Sequence, residues 1–303
     1  IGITQEKLDI QKNVVIEEFK EGYLNQPYCD VWHTLSAMAF TRHPYRWPTI
    51  GLKPEHIASA SLDDVKNFYH RFYQPSNAIL CLSGGIDLDH SLRLVQKWFD
   101  DIPPHPIHRI ERPVEPQQTE LRRKVIESEV PQDAVYFAFH IPHRLHPDYI
   151  PADLLTDVLS NSDSSRLERK LVKEDEILSE AEAYVLGSHD PGLLIVEGKL
   201  NAGVSIEFAE DAVWEILQDL ASEPISDGEM TRIRNKAATQ KEFSEVNIFH
   251  RALNLSIYEL LGNAEEINNE IDKYLSVQSA DLMRVARSIF RKENCSILHY
   301  LKR

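Results

Sequence analysis

The chain has 303 residues, of which 42% are hydrophobic, and this is enough apolar material to bury two ordinary cores. Its formal net charge of −15 argues against nucleic-acid binding, because contacts to phosphates require basic surface. No apolar run approaches the roughly 20 residues that a membrane-spanning helix needs. The three widely separated cysteines form no C-x-x-C pair and leave the cellular compartment open.

The first predicted helix lies near the N-terminus. Gln11, Val14, Val15 and Glu18 share one stripe of this helix, because about two turns separate the first of them from the last. If the stripe faces inward, Glu18 needs a partner, since an unpaired buried charge is costly. A solvated acidic pair, Glu17 and Glu18, is the commoner use of two adjacent glutamates and explains the same residues.

A helix, a turn and a strand are predicted next. Residues 61–73 place apolar side chains at helical spacing, and Ser61 and Asp64 have the spacing of a capping box. The apolar residues 78–82 predict a strand after the turn. The proline-rich segment 102–116 then predicts a linker.

Beyond the linker, the pattern predicts strands and helices in mixed order. The predicted strands are 125–127, Ala134–Ile141, 181–186 and 193–200, and the predicted helices are 153–174 with a break near 161–165, 204–221, 227–243 and Ile248–Leu261. Helices on one face of a mainly antiparallel sheet belong to the α+β class, which is the fold class that we predict.

Near the C-terminus, residues 280–290 and 295–298 repeat the earlier helix, turn and strand. The two copies align without a gap, and Asn77 aligns with Asn294, an offset of 294 − 77 = 217 residues. This offset predicts tandem copies of one domain: 1–101 as the C-terminal part of the first copy, 102–119 as the linker and 120–303 as the second copy. Because the first copy is much shorter than the second, we expect it to lack its opening strands and first long helix, so that the chain begins in mid-domain.

Several segments resemble the pitrilysin/insulinase family of zinc peptidases, in that family's order and spacing. The matching segments are NVVIEE at 13–18, HPYRWPTIG at 43–51, YQPSN at 73–77 with LCLSGGID at 80–87, and SSRL at 164–167. The resemblance covers essentially the whole chain. It implies a zinc-dependent metalloendopeptidase that cleaves peptides or unfolded polypeptide segments.

The resemblance also implies which residues belong to a zinc site. The family's signature is H-x-x-E-H on a helix, whose glutamate is the general base, with a glutamate from a later helix as the third zinc ligand. No histidine of this chain fits H-x-x-E-H, so we expect the two histidines and the base upstream of Ile1. Glu18 matches the third ligand. Gln11 stands where family members carry a supporting carboxylate, and its lack of charge weakens that support.

Two positions depart from the family's substrate-binding pattern. Active members use an arginine and a tyrosine seven residues apart, and alignment on SSRL puts these at Val172 and Ser179. Neither side chain can donate an equivalent charge-assisted hydrogen bond. We therefore expect a homologous second subunit, or another copy of the chain, to supply the pair, and the present chain alone to be inactive.

Some alternatives remain open at this stage. A non-catalytic homologue that binds peptide or scaffolds an active partner is the competing function, and the presence of H-x-x-E-H in the complete protein would separate the two. His140, His143 and His146 are spaced like a metal cluster, but they lie on a strand and a loop and give no helical pair, so we assign no metal to them. The resemblance suggests a bacterial protein of the cytoplasm or periplasm without choosing between them.

Overall fold

The computed structural model describes residues 2–104, 110–187 and 189–303. Its packing divides the chain into two compact units. Unit 1 consists of Ile1–Glu21, Ile50–Arg112 and Thr239–Glu270, and unit 2 consists of Gly22–Thr49, Pro113–Ala238 and Ile271–Arg303. Each unit is therefore assembled from three separate stretches of sequence.

The described part of the chain contains eleven α-helices and five strands. In chain order the α-helices are α1 (Gln5–Tyr23), α2 (Val31–Ala39), α3 (Pro54–Ser59), α4 (Leu62–Phe72), α5 (Leu88–Phe99), α6 (Tyr149–Leu159), α7 (Ile206–Ser222), α8 (Asp227–Val246), α9 (Ile248–Leu261), α10 (Glu270–Ser276) and α11 (Ser279–Ile289). A π-helix occupies Glu168–Glu174, and short 3₁₀ turns occupy Pro44–Arg46, Pro75–Asn77, Ala264–Asn269 and Lys292–Asn294. No described helix combines the length and the apolar character needed to cross a membrane.

The five strands form one sheet in unit 2, with the order β1-β5-β2-β4-β3. They are β1 (Arg122–Ser128), β2 (Ala134–Ile141), β3 (Leu178–Leu186), β4 (Gly192–Leu200) and β5 (Cys295–Lys302). β1 runs parallel to β5, and the other neighbouring pairs are antiparallel. The predicted α+β class and its mainly antiparallel sheet are confirmed, and each strand predicted after the linker lies within one of these five.

Both faces of this sheet are covered, because the central strand β2 is apolar on both sides. Phe137 and Phe139 point into the larger core, where both rings pack edge-on against Trp214 of α7 at centroid distances of 5.9 and 5.7 Å. Tyr136, which directly precedes Phe137, points into a smaller core that α2 closes with Val31 and Leu35. The sequence predicted helices on only one face of the sheet. The structure differs because α2 packs on the second face.

The two units group the chain differently from the domain boundaries predicted at 101 and 120. The repeat places 1–101 in one copy, whereas residues Gly22–Thr49 pack within unit 2. The reason is the apolar face of α2, which buries Val31 and Leu35 against the sheet. The duplicated-domain boundaries follow the repeat rather than the packing, and they stay a prediction.

The predicted linker, 102–119, is anchored to unit 2 along its second half; residues 105–109 lie outside the described part of the chain. The Glu115 carboxylate accepts the backbone N–H of Thr41, Arg42 and His43 at 2.7–2.8 Å. Gln118 is buried and donates to the carbonyl of Cys295 at 2.6 Å. This half of the linker is therefore a fixed part of unit 2.

The two copies of the repeat have the same local geometry. Asp64 accepts the backbone N–H of residue 61 at 2.9 Å and thereby caps α4, and Asp281 accepts the N–H of residue 278 at 3.0 Å before α11. After each helix, an asparagine side chain donates back to the helix: Asn77 to Phe72 O at 2.9 Å and Asn294 to Ile289 O at 3.0 Å. All four positions keep the 217-residue offset, which supports the predicted duplication.

The strand predicted at 78–82 is not formed. These residues are extended but belong to no ladder, and the described part of unit 1 contains helices and no strand. The equivalent segment of unit 2, β5, has β1 on one side and β2 on the other. An apolar segment becomes a strand only where another strand pairs with it, and that partner is absent from the described residues.

Candidate functional site

The proposed third zinc ligand, Glu18, lies near the C-terminal end of α1 on an exposed face. Glu18 and Gln11 are both exposed, and Val14 between them has 53% of its surface accessible. Within the described residues, Glu18 makes no hydrogen bond or ion pair. The adjacent Glu17 is different, because it pairs with Lys20 at 2.7 Å in a surface salt bridge. The stripe expected to face inward is thus open in this chain and presents a carboxylate with no partner.

The described residues do not by themselves complete a zinc site. Catalytic zinc takes three protein ligands and a water, and structural zinc takes four. Across residues 2–104, 110–187 and 189–303, no three His, Cys, Asp or Glu side chains converge closely enough to hold a metal. Glu18 can therefore contribute one carboxylate ligand, and the remaining donors would have to come from elsewhere.

Val172 and Ser179, where the motif alignment predicts the family's arginine and tyrosine, both belong to unit 2. Val172 lies in the π-helix and packs, half-buried, against the larger core. Ser179 lies on β3, where its hydroxyl accepts from Gln132 Nε2 at 2.6 Å and donates to Lys199 O at 3.3 Å. Neither side chain presents a charged donor to a ligand.

The arginine of the SSRL segment has a structural partner. Arg166 donates to both carboxylate oxygens of Glu229 on α8, at 2.9 and 3.3 Å, and Ser226 bonds the same carboxylate. Partial burial opposes ionisation of Glu229, but these hydrogen bonds outweigh it and lower its pKa to about 2. The segment thereby ties the start of the π-helix to the start of α8.

The HPYRWPTIG segment is held in place by contacts within unit 2. His43 is buried, its Nδ1 accepts the N–H of Tyr45 at 3.2 Å, and its Nε2 lies 3.3 Å from Asp190. Glu115 binds the three preceding backbone N–H groups, as described above. No pattern in the sequence predicted this role for Glu115, an acidic residue in the segment from Pro113 to Pro116.

The histidines declined as metal ligands have other contacts. His140 is largely buried on β2, with Nε2 3.0 Å from the carbonyl of Ala39, and burial lowers its pKa. His146 accepts the backbone N–H of Asp148 at 3.0 Å. His143 lies against His146, with ring centroids 6.0 Å apart.

The matches to known proteins agree with one another. A family model described as the peptidase M16 inactive domain matches residues 59–237. The chain is 24% identical over 306 residues to the zinc protease PqqE of Helicobacter pylori, covering 100% of this chain and 68% of that protein. It is also 24% identical over 291 residues to the uncharacterized zinc protease YmxG of Bacillus subtilis, covering 95% of this chain and 69% of that protein.

Among solved structures, a protease from Helicobacter pylori is similar over 99% of this chain and 73% of its own, with a TM-score of 0.92. At 22% sequence identity, this likeness shows the fold alone. The chain thus spans a little over two thirds of the two curated relatives. The resemblance predicted from the motifs is confirmed by the family match.

Proposed function

The chain belongs to the peptidase M16 family, and we propose that it is part of a zinc-dependent metalloendopeptidase that cleaves peptides or unfolded polypeptide segments. In this proposal Glu18 is one zinc ligand. Two histidines and the general base come from an H-x-x-E-H segment upstream of Ile1 in the complete protein. The present chain alone is then inactive, because it lacks both the base and two of the three ligands.

The observation that carries the proposal is the contrast between Glu17 and Glu18. Surface glutamates on helices commonly find a lysine three or four residues away, and Glu17 does so with Lys20. Glu18 instead shares its exposed face with Gln11 and the apolar Val14. A carboxylate that is left unpaired beside an exposed apolar side chain fits a ligand position better than a solvated ion pair does. Gln11, two turns earlier, would support Glu18 by a hydrogen bond.

Substrate binding would require side chains from a second subunit. Val172 packs on the core and Ser179 bonds to neighbouring groups, so neither can replace the arginine and tyrosine of active members. We propose that a homologous subunit, or another copy of the chain, supplies this pair. The same two residues favour the second candidate function, a non-catalytic subunit that binds peptide or scaffolds an active partner.

The test uses the complete protein and two matched variants. Glu18→Gln should lose bound zinc and lower the hydrolysis of a quenched fluorescent peptide by more than about 100-fold, because changing even an outer-shell partner of a metal ligand costs 10–100-fold. Glu17→Gln is the control. Its zinc content and its rate of peptide hydrolysis should stay within about twofold of the wild type, since exposed ion pairs contribute little. Zinc content is read by atomic absorption alongside the rate.

The outcomes separate the two candidates. Full zinc and full activity in Glu18→Gln would exclude Glu18 as a ligand. A complete protein without H-x-x-E-H and without peptidase activity would favour the non-catalytic subunit.

A further inference from the structure

A cavity of about 430 Å³ in unit 2 has five aromatic side chains in its lining. Its wall includes Tyr23, Trp32, Tyr45 and Trp47, and the ends of β3 and β4 contribute Leu186 and Leu193. Two of these rings belong to the HPYRWPTIG segment, for which the proposed function has no use. Apolar and aromatic linings of this size are typical of ligand pockets.

The aromatic wall is held before any ligand arrives. Glu115 fixes the backbone of Thr41, Arg42 and His43 by hydrogen bonds of 2.7–2.8 Å. His43 then caps the turn Pro44–Arg46, which sets the position of Tyr45. A site whose wall is already ordered loses less conformational entropy when a ligand binds.

An acidic pair lies on the sheet face beside this cavity. Glu182 on β3 is directly opposite Glu197 on β4. Like charges at opposed strand positions destabilise a sheet. The nearby Lys199 forms an ion pair with Glu180, and within the described residues neither Glu182 nor Glu197 has an ion pair of its own. Burial and the charge of Glu182 raise the pKa of Glu197, and the Tyr184 hydrogen bond and the charge of Lys199 offset this only in part. A positively charged group placed near both carboxylates would reduce the repulsion between them.

Trp32 joins the cavity to the acidic pair. Its ring lines the cavity and also packs edge-on against Tyr184, with centroids 6.2 Å apart. The Tyr184 hydroxyl donates to Glu197 at 3.2 Å. Glu182, Tyr184 and Leu186 alternate along β3 and therefore face the same side of the sheet.

We infer that the cavity and the Glu182–Glu197 pair form one docking site for an extended peptide segment with a basic side chain and, about four residues away, a bulky apolar side chain. The apolar side chain enters the cavity at Leu186, and the lysine or arginine lies over Glu182 and Glu197. Glu182 precedes Leu186 by four positions, which is about 13 Å along an extended strand. The site lies entirely in unit 2, so the inference holds for either proposed function.

The charge pattern decides between possible occupants. A small aromatic molecule would fill the cavity but would place no positive charge near Glu182 and Glu197. A peptide with both groups satisfies the cavity and the carboxylates together, in a chain whose net charge is −15. The ionic contribution should weaken with salt, whereas the aromatic contribution should not.

Fluorescence anisotropy of a labelled peptide tests the inference. The probe is a fluorescein-labelled alanine–serine peptide with one lysine and one phenylalanine four positions apart, added to the full chain with a chelator present to prevent cleavage. It should bind at least about tenfold more tightly than the peptide lacking phenylalanine, since a buried aromatic anchor dominates such interfaces. Replacing the lysine by glutamate, or moving it to three positions away, should also weaken binding.

Matched variants locate the site. Trp47→Ala should weaken binding at least about tenfold, and Glu182→Gln about two- to fivefold with a smaller salt dependence. The controls are Trp98→Ala on α5 and Glu127→Gln on β1, both exposed and outside the cavity, and they should leave binding unchanged. If circular dichroism shows that Trp47→Ala is unfolded, Leu186→Ser takes its place.

Four results would overturn the inference. One is equal binding of the probe by the wild type and by both site variants. Another is equal affinity for the lysine and glutamate peptides, which would mean that the acidic pair takes no part in binding. The third is full competition by free indole at the same affinity, which would indicate a small aromatic ligand. The fourth is dimerisation of the chain that Trp47→Ala abolishes, which would make a second copy the occupant.

Discussion

The adjacent carboxylates of Glu17 and Glu18 occupy different surroundings on one helix. Helical periodicity alone placed Glu18 with Gln11 and Val14 and left Glu17 off that stripe, and α1 keeps this arrangement. Periodicity could not say what covers the stripe, because that depends on residues far away in the sequence. The stripe is exposed in the described chain, so the metal role proposed for Glu18 rests on the family resemblance and on the absence of a hydrogen-bond or ion-pair partner.

Glu115 provides a test at the scale of one residue. Partial burial opposes its ionisation, but hydrogen bonds from three backbone N–H groups and the Thr41 hydroxyl outweigh this and lower its pKa to about 2, from an ordinary value of 4.5. A carboxyl whose pKa is lower in the folded state than in the unfolded state stabilises the fold at pH values above the unfolded-state pKa. This stabilisation is lost as the pH falls through the folded-state pKa. The contribution should be full above about pH 4.5 and should disappear as pH falls towards 2.

Glu115→Gln should therefore reduce the free energy of unfolding at pH 7 by about 1–2 kcal/mol, after allowing for solvent screening of a partly exposed group. The difference from wild type should shrink between about pH 4.5 and pH 2. Urea denaturation at several pH values measures it, with the exposed Glu120→Gln as the control. A difference that is constant with pH would mean that the Glu115 charge is not what stabilises this segment.

At the scale of elements, the repeat was the most informative feature of the sequence. The sequence was enough to predict the capping pair Ser61 and Asp64 and to align the asparagine after each helix, because these features depend on near neighbours in sequence. The strand at 78–82 was predicted from the same local pattern and is not formed. Strands need partners, and hydrophobic spacing carries no information about whether a partner is present.

The two asparagines make the same hydrogen bond in different environments, and this difference is measurable. Asn294 is buried and also donates to the His140 carbonyl at 3.0 Å, whereas Asn77 is exposed. Asn294→Ala should cost about 2–3 kcal/mol, since it leaves buried carbonyls without a donor, and Asn77→Ala only about 0.5–1 kcal/mol. Guanidinium denaturation of both variants, followed by circular dichroism, gives the comparison. Equal costs would contradict the assigned environments.

At the scale of the whole molecule, the two units differ in how well they are buried. The helices and sheet of unit 2 enclose two cores. Unit 1 instead leaves many large apolar side chains exposed, among them Phe68, Ile79, Leu80, Leu92, Trp98 and Phe249. Apolar surface of this extent marks an interaction face or a tendency to associate. The sequence predicted the apolar positions but could not predict which of them are buried by other parts of the protein.

Amide hydrogen exchange tests this difference on the 303-residue chain. The amides of 78–82 should exchange rapidly, because they form no ladder, while those of the buried β5 should be strongly protected between two neighbouring strands. The two segments are equivalent in the repeat, so each is the natural reference for the other. Strong protection at 78–82 in a monomeric sample would show that a strand partner is present after all.

Calorimetric titration with zinc tests the central claim most directly, namely that this chain carries one ligand of a zinc site whose other ligands lie elsewhere. The 303-residue chain should show no submicromolar zinc binding, because a single carboxylate is a weak ligand and the described residues hold no cluster of three. The complete protein should bind one zinc tightly and lose it in Glu18→Gln. Submicromolar binding by the 303-residue chain, or tight zinc retained by the complete Glu18→Gln protein, would contradict the account.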